Sequence, residues 1–252
     1  MDSVGEQLRP ELVEAVSFDV NGTLIHSPRL GAIYAEVLAR HGREVDEDRL
    51  EAAIRQVWVE VECARLPGRD RFGGPGGARE FWSRFADRVC LHLDLEPPSR
   101  FAKAELFDRF SRAEAWVVFD EVEEVLRCLG AAGYRLAILS NWDERLPKLL
   151  ADLDLARYFE AVVFSSAVGV EKPFPAIFSA LLETLDLQPE TVLHVGDRNR
   201  EDVEGAIGVG MQAFRVDRRD SENESRDLTS VVELLQTGMA IEMDETGKRR
   251  DG

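Results

Sequence analysis

Between Arg135 and Val216, short apolar runs alternate with longer stretches of helical spacing, and only a few residues connect one to the next. The runs Arg135–Leu139, Ala161–Phe164, Thr191–Val195 and Gln212–Val216 are too brief for helices and read as buried strands. The stretches Arg145–Leu153, Ala176–Leu185 and Glu201–Val209 read as helices, preceded by another over Asp120–Leu129 with Gly133 after it. Such alternation predicts a parallel sheet, and a parallel sheet needs helices over both faces. One more apolar run starts at Ala15 and gives out at Asp19-Val20-Asn21-Gly22-Thr23-Leu24, adding a fifth strand. The expected fold class is α/β.

The stretch between the first two strands has a different texture. Leu30, Ile33, Tyr34, Val37 and Leu38 recur at helical spacing and stop at His41-Gly42. Asp46 is placed to cap a second helix with Leu50, Ile54, Val57, Trp58 and Val61 on one face. Two further patterns run through Phe81, Trp82, Phe85 and Val89, and through Phe101, Leu106, Phe107 and Phe110, separated by Pro97-Pro98. Four helices without a strand predict a small bundle inserted into the sheet domain. The expected division is a core of residues 1–26 and 117–238, a helical insert over 27–116, and a polar tail, 239–252. Hinges are expected near Ser27-Pro28 and Trp116–Phe119. Trp58, Trp82 and Trp116 are expected in the bundle core, while Trp142 fits either a pocket wall or a core position.

Charge separates the two parts. Residues 27–115 carry 15 Lys and Arg against 16 Asp and Glu, so nearly all of the formal charge of −17 falls elsewhere. Arg65, Arg69, Arg71 and Arg79 flank Gly73-Gly74-Pro75-Gly76-Gly77. They form either a solvated loop or an arginine-lined lid over an anionic substrate. The acidic balance argues against duplex nucleic acid and anionic membranes as partners, and no apolar run is long enough to span a bilayer. Cys63, Cys90 and Cys128 are odd in number and scattered, which suits buried thiols in a reducing, cytoplasmic compartment.

Four strand ends carry chemistry. Asp19 ends the first, Ser140-Asn141 the second, Lys172 in Gly169-Val170-Glu171-Lys172-Pro173 follows the third, and Asp197 and Asp202 follow the fourth. In an open α/β sheet the carboxyl ends of the strands form the ligand edge. A carboxylate there can attack an electrophile or hold a cation. Carboxylates from separate strand ends can share a hard divalent ion such as Mg²⁺. Ser140 and Asn141 can donate to phosphoryl oxygens, and Lys172 supplies a positive charge. Nucleophile, cation, donors and metal together describe phosphoryl transfer through an aspartyl intermediate.

These residues resemble the motifs of the haloacid dehalogenase-like (HAD) hydrolase superfamily: Phe18-Asp19-Val20-Asn21-Gly22-Thr23-Leu24, Ser140-Asn141-Trp142-Asp143, Gly169-Val170-Glu171-Lys172-Pro173 and His194-Val195-Gly196-Asp197. The insert is similar to the helical cap in the family's first cap position. Arg145-Leu146, Arg157-Tyr158-Phe159 and Gly205-Ala206…Gly210-Met211 resemble the rhythmically-expressed-gene-like branch. The resemblance implies a Rossmann-like core with a four-helix cap and a Mg²⁺-dependent phosphohydrolase acting on a small phosphorylated metabolite. By that resemblance Asp19 is the nucleophile and a metal ligand, and the Asn21 backbone carbonyl is another ligand. Ser140 binds the transferring phosphoryl group, and Lys172 neutralises it and orients Asp19. Asp197 ligates Mg²⁺, and Asp202 braces Lys172 or a metal-bound water.

One departure is chemical. The family's phosphatases have an aspartate two residues after the nucleophile as general acid and base, and here Asn21 stands there. Its amide cannot deliver a proton, and losing such assistance costs about 10²–10⁴ in rate. Phe174 and Glu201 also depart from the usual Asp and Asn. Three readings follow: a weak phosphohydrolase, a phosphate-ligand binding protein that has lost turnover, and a 2-haloacid dehalogenase, whose leaving halide needs no proton.

Overall fold

The computed structural model describes residues 8–218 and 227–242, with backbone alone for 237–242. Strand β1 (Ala15–Phe18) leads through the turn at Asn21 to a two-residue strand, β2 (Ile25–His26). Four helices follow: α1 (Leu30–Arg40), α2 (Glu47–Cys63), α3 (Gly77–Leu91) and α4 (Arg100–Arg109). The chain returns along β3 (Val117–Val118), which pairs antiparallel with β2, so the outward and inward crossings lie side by side. Helix α5 (Val122–Ala131), β4 (Arg135–Ser140), α6 (Leu146–Asp152), β5 (Ala161–Phe164), the single turn α7 (Ser165–Val168) and α8 (Pro175–Leu185) come next. Then come β6 (Val192–Gly196), a π-helical turn over Asn199–Glu204, α9 (Gly205–Ile207), β7 (Gln212–Arg215) and α10 (Thr229–Glu242).

All five long strands are parallel, in the order β5-β4-β1-β6-β7. The protein is α/β, as its strand–helix alternation predicts. Side chains alternate across the sheet. Val16, Phe18, Leu136, Ile138, Leu193 and Val195 pack with α5, α6 and α10 on one face. Ala15, Ala137, Leu139 and Val192 pack with Ile177, Phe178 and Leu181 of α8 on the other. Burying each such Leu, Ile, Val or Phe contributes about 1.5–3 kcal/mol, which is why the central strands are largely apolar on both faces.

The four inserted helices have an apolar core of their own, built on Val37, Leu38, Leu50, Ile54, Val57, Phe85, Val89 and Leu106. Asp46 caps α2 by accepting from the Arg49 amide, and Ser99 caps α4 in the same way from Ala102. Trp58 and Trp82 join this cluster, whereas Trp116 and Trp142 pack together, ring centroids 5.1 Å apart, against the sheet core.

Besides that of Trp116 in the bundle core, three expectations change. Of the three thiols only Cys90 is buried; Cys63 is exposed and Cys128 lies between. The last helix continues to Glu242, past the expected start of the tail, and residues 219–226 of the linker and 243–252 of the tail lie outside the described residues. The predicted helix over Glu201–Val209 opens instead as the wide turn Asn199–Glu204, because the Asp202 side chain is tied down within it. No helix among the described residues is long and apolar enough to cross a membrane.

Candidate functional site

Asp19 follows β1, the central strand, and its backbone amide continues the ladder by donating to Val195 O at 2.9 Å. Its neighbours β4 and β6 deliver Ser140 on one side and Asp197 on the other. The Asp19 carboxylate is nearly buried, and its Oδ1 accepts from both Ser140 Oγ and Lys172 Nζ, each at 2.9 Å. Neither of these donors engages Oδ2.

Lys172 is only 1% exposed. Its ammonium donates to Asp19 Oδ1, to Leu139 O at 2.8 Å and to Asp202 Oδ1 at 2.6 Å, which uses all three of its protons. Burial alone would lower its pKa, but the Asp19 and Asp202 carboxylates outweigh that and hold it above the ordinary lysine value. Asp202 is shifted the other way. Burial would raise it, yet Lys172 and His194 keep it well below the usual carboxylate range. Its Oδ2 accepts from the Arg198 amide at 2.8 Å.

Asp19, Asp197 and Asp202 bring carboxylate oxygens within 4.8 Å of one another. Burial, reinforced by the charges of Asp19 and Asp202, pushes the Asp197 pKa up to about 7. Two glycines permit this crowding. A Cβ on Gly196 would stand 2.2 Å from the Asp202 carboxyl carbon, and one on Gly22 2.7 Å from Asp197 Oδ2. Three carboxylates this close, with the Asp197 pKa raised by the other two, are the donor set that a hard divalent cation relieves, so these residues fit Mg²⁺. Asp202 has both oxygens engaged, which leaves Asp19 and Asp197 as the better placed side-chain ligands. Asn21 is exposed on the turn directly after Asp19.

Asn141, expected as a phosphate donor, clamps the Lys172 backbone with its amide: Oδ1 accepts from Lys172 N at 2.7 Å and Nδ2 donates to Lys172 O at 3.1 Å. The residue after β4 and the loop after α7 satisfy each other, and the side chain positions Lys172.

The arginine-lined lid also resolves differently. Arg65 pairs with Glu62 (2.9 Å), Glu171 (2.8 Å) and Glu201 (2.9 Å), and Arg71 with Glu171 (2.7 Å) and Glu62 (3.1 Å). Arg79 pairs with Asp108 and lies over the Phe107 ring. Of the four, Arg69 is exposed without such a pairing. These arginines answer the chain's own carboxylates. A second junction joins the layers at Asp143, which accepts from Trp82 Nε1 at 2.8 Å and from the Arg145 guanidinium. A recess of about 340 Å³ opens between the loop after α2 and the core, lined by Glu62, Cys63, Arg65, Pro67, Phe174 and Arg200.

Sequence reasoning gave no role to Glu171, Asp143 and His194, which it met only within motifs, and took Glu201 only as a departure from the family pattern. The neutral, arginine-rich insert on an acidic core was a signal for the glutamates. A lone polar residue inside an apolar strand was the signal for His194.

A haloacid dehalogenase-like hydrolase family model matches residues 13–210, most of the chain. The chain belongs to the haloacid dehalogenase-like hydrolases. It is 33% identical over 211 residues to the human haloacid dehalogenase-like hydrolase domain-containing protein 3, covering 81% of this chain and 82% of that one. It is 27% identical over 215 residues to a glyceraldehyde 3-phosphate phosphatase of Methanopyrus kandleri, covering 82% and 85%. The L-2-haloacid dehalogenase RSc1362 superposes with a TM-score of 0.70 at 22% identity, over 89% of this chain and 99% of that one. A HAD-type fold therefore carries more than one activity, and the reaction of this hydrolase has to be argued from its site.

Proposed function

We propose that this HAD hydrolase is a Mg²⁺-dependent phosphohydrolase that acts on a small phosphorylated metabolite through an aspartyl-phosphate on Asp19. The observation that carries the reading is a nearly buried carboxylate held by Lys172 and Ser140 within 4.8 Å of the Asp197 and Asp202 carboxylates. A dehalogenase needs no such acidic cluster. Asp19, Asp197 and the Asn21 carbonyl would hold the Mg²⁺, which when bound supplies charge neutralisation to the phosphoryl oxygens.

Asp19 attacks phosphorus through Oδ2, the oxygen that Lys172 and Ser140 leave unengaged, and the bond from phosphorus to the leaving oxygen breaks. Lys172, anchored by Asp202 and Leu139 O, keeps Oδ1 in place and faces the phosphoryl charge. Ser140 Oγ can turn its proton from Asp19 to a phosphoryl oxygen. The departing oxygen takes its proton from solvent, since Asn21 has none to give. Water then attacks phosphorus, the bond to Asp19 breaks, and its electron pair returns to the carboxylate. Both halves run without general acid–base help, so turnover is slow and favours leaving groups of low pKa.

A panel of phosphorylated metabolites assayed for phosphate release with Mg²⁺, with Asp19→Asn as the blank, tests the reading. Release by the wild-type chain alone supports it, and equal release by both proteins rejects it. Asn21 also favours a second reading, a binding protein without turnover. Saturable calorimetric binding of a phosphometabolite with no phosphate release would establish that one instead.

A further inference from the structure

Strands β1 and β6 are apolar apart from one residue each, Ser17 and His194, and the register sets these two opposite one another. Both are fully buried, on the face that also carries Ala137, Leu139 and Phe178. A polar side chain in such a layer costs about 1–3 kcal/mol unless it is hydrogen-bonded. An aliphatic residue would pack there without that penalty, so packing alone gives no reason for a histidine.

The partners supply one. Ser17 Oγ lies 2.9 Å from His194 Nδ1, and His194 Nε2 lies 3.3 Å from Asp202 Oδ1. The ring is fully buried, and burial lowers the imidazole pKa from its ordinary value. Asp202, ionised against Lys172, can only accept. The proton therefore sits on Nε2, and Nδ1 accepts from the Ser17 hydroxyl. The Phe178 ring stands edge-on to the imidazole, centroids 5.8 Å apart at 87°. Asp202 Oδ1 then receives Lys172 from one side and His194 from the other, while Arg198 N holds Oδ2.

We infer that His194 is a positioning residue: with Ser17 fixing its tautomer, it holds Asp202 so that the Lys172 ammonium stays against Asp19. The effect on turnover rests on the phosphohydrolase reading; the hydrogen-bond arrangement does not. Removing an outer partner of this kind costs about 10- to 100-fold in activity.

The test uses His194→Leu, His194→Gln and Ser17→Ala in the full chain, read in two ways. By NMR, the wild-type His194 ring should be the Nε2–H tautomer, and the Lys172 side-chain resonances should move in His194→Leu and return toward wild type in His194→Gln. In the phosphatase assay with Mg²⁺, His194→Leu should lose about 10-fold or more in kcat with KM nearly unchanged, and His194→Gln should recover most of it. An Nδ1–H tautomer in the wild type, or a folded His194→Leu with unmoved Lys172 resonances and full kcat, would overturn the inference. If His194→Leu does not fold, a Ser17→Ala protein that keeps both the tautomer and the Lys172 resonances would overturn it equally. A wild-type chain that releases no phosphate rejects the hydrolase reading, and the NMR measurements on that sample still decide the role of His194.

Discussion

Arg65 Nε meets Glu171 Oε1 at 2.8 Å and ties the loop after α2 to the residue just before Lys172. The same guanidinium reaches Glu201, the residue just before Asp202, at 2.9 Å. One side chain from the helical layer thus grips both core segments that hold the Asp19 site together. Glu171 is 1% exposed, and burial pushes its pKa up against the pull of Arg71 and Arg65. Its charge is tolerated because two arginines cover both oxygens.

The first prediction concerns this grip. Arg65→Ala leaves buried Glu171 with half its compensation and should destabilise the chain by about 3–5 kcal/mol. Arg65→Lys should recover little, because a point charge cannot span three carboxylates as a guanidinium does. Thermal unfolding of Arg65→Ala, Glu171→Gln and the double variant checks it. The two losses should be clearly non-additive, and simple additivity would show that the pair does not act as a unit.

Asn21→Asp restores a proton carrier two residues after Asp19. With alkyl phosphates, whose leaving oxygens need protonation, kcat should rise by about 10²-fold or more. With an aryl phosphate of low leaving-group pKa the gain should be much smaller in the first step. Parallel kinetics on the two substrate classes provide the check. An equal effect on both would place the slow step elsewhere.

The sheet and the identity of the Asp19 cluster were legible because both depend on local information. Each strand is a short apolar run; Asp19, Ser140 and Asp197 sit at or just past the end of one, and Lys172 lies in the loop beyond another. A parallel sheet then brings Asp19, Ser140, Lys172 and Asp197 to one edge without further instruction. What was not legible depends on how separate segments face each other. Nothing local says that Asn141 will clamp the Lys172 backbone, or that Arg65 and Arg71 will meet Glu171 across the layers. The turn at Asn199–Glu204 belongs with these, since its shape is set by what Asp202 touches.

Asp197 links metal, pH and stability. Its folded pKa of about 7 lies well above the usual aspartate value of about 3.9. Below pH 4 both folded and unfolded chains hold the proton. Between pH 4 and 7 only the folded one does, so this group's stabilisation fades as pH rises toward 7, by on the order of 4 kcal/mol. The metal-free protein should therefore lose melting temperature from pH 5.5 to 8 through this residue. Mg²⁺ favours the ionised carboxylate, so its stabilising shift should be larger at pH 8 than at pH 5.5. Melting curves with Mg²⁺ and with EDTA measure both trends, and Asp197→Asn should flatten them.

Gly22 separates metal affinity from stability. It has φ of +88°, and a Cβ there would stand 2.7 Å from Asp197 Oδ2. Gly133 has a similar φ of +94° with nothing within 4 Å of its Cβ position. Alanine at either position pays the same backbone penalty, about 1–2 kcal/mol. Only Gly22→Ala must also move the Asp197 carboxylate. Both variants should therefore melt lower by similar amounts, while Mg²⁺ affinity, read by calorimetry, should fall in Gly22→Ala and hold in Gly133→Ala. Equal affinities in the two would remove Asp197 from the metal site, because the contact that distinguishes them is the one with its carboxylate.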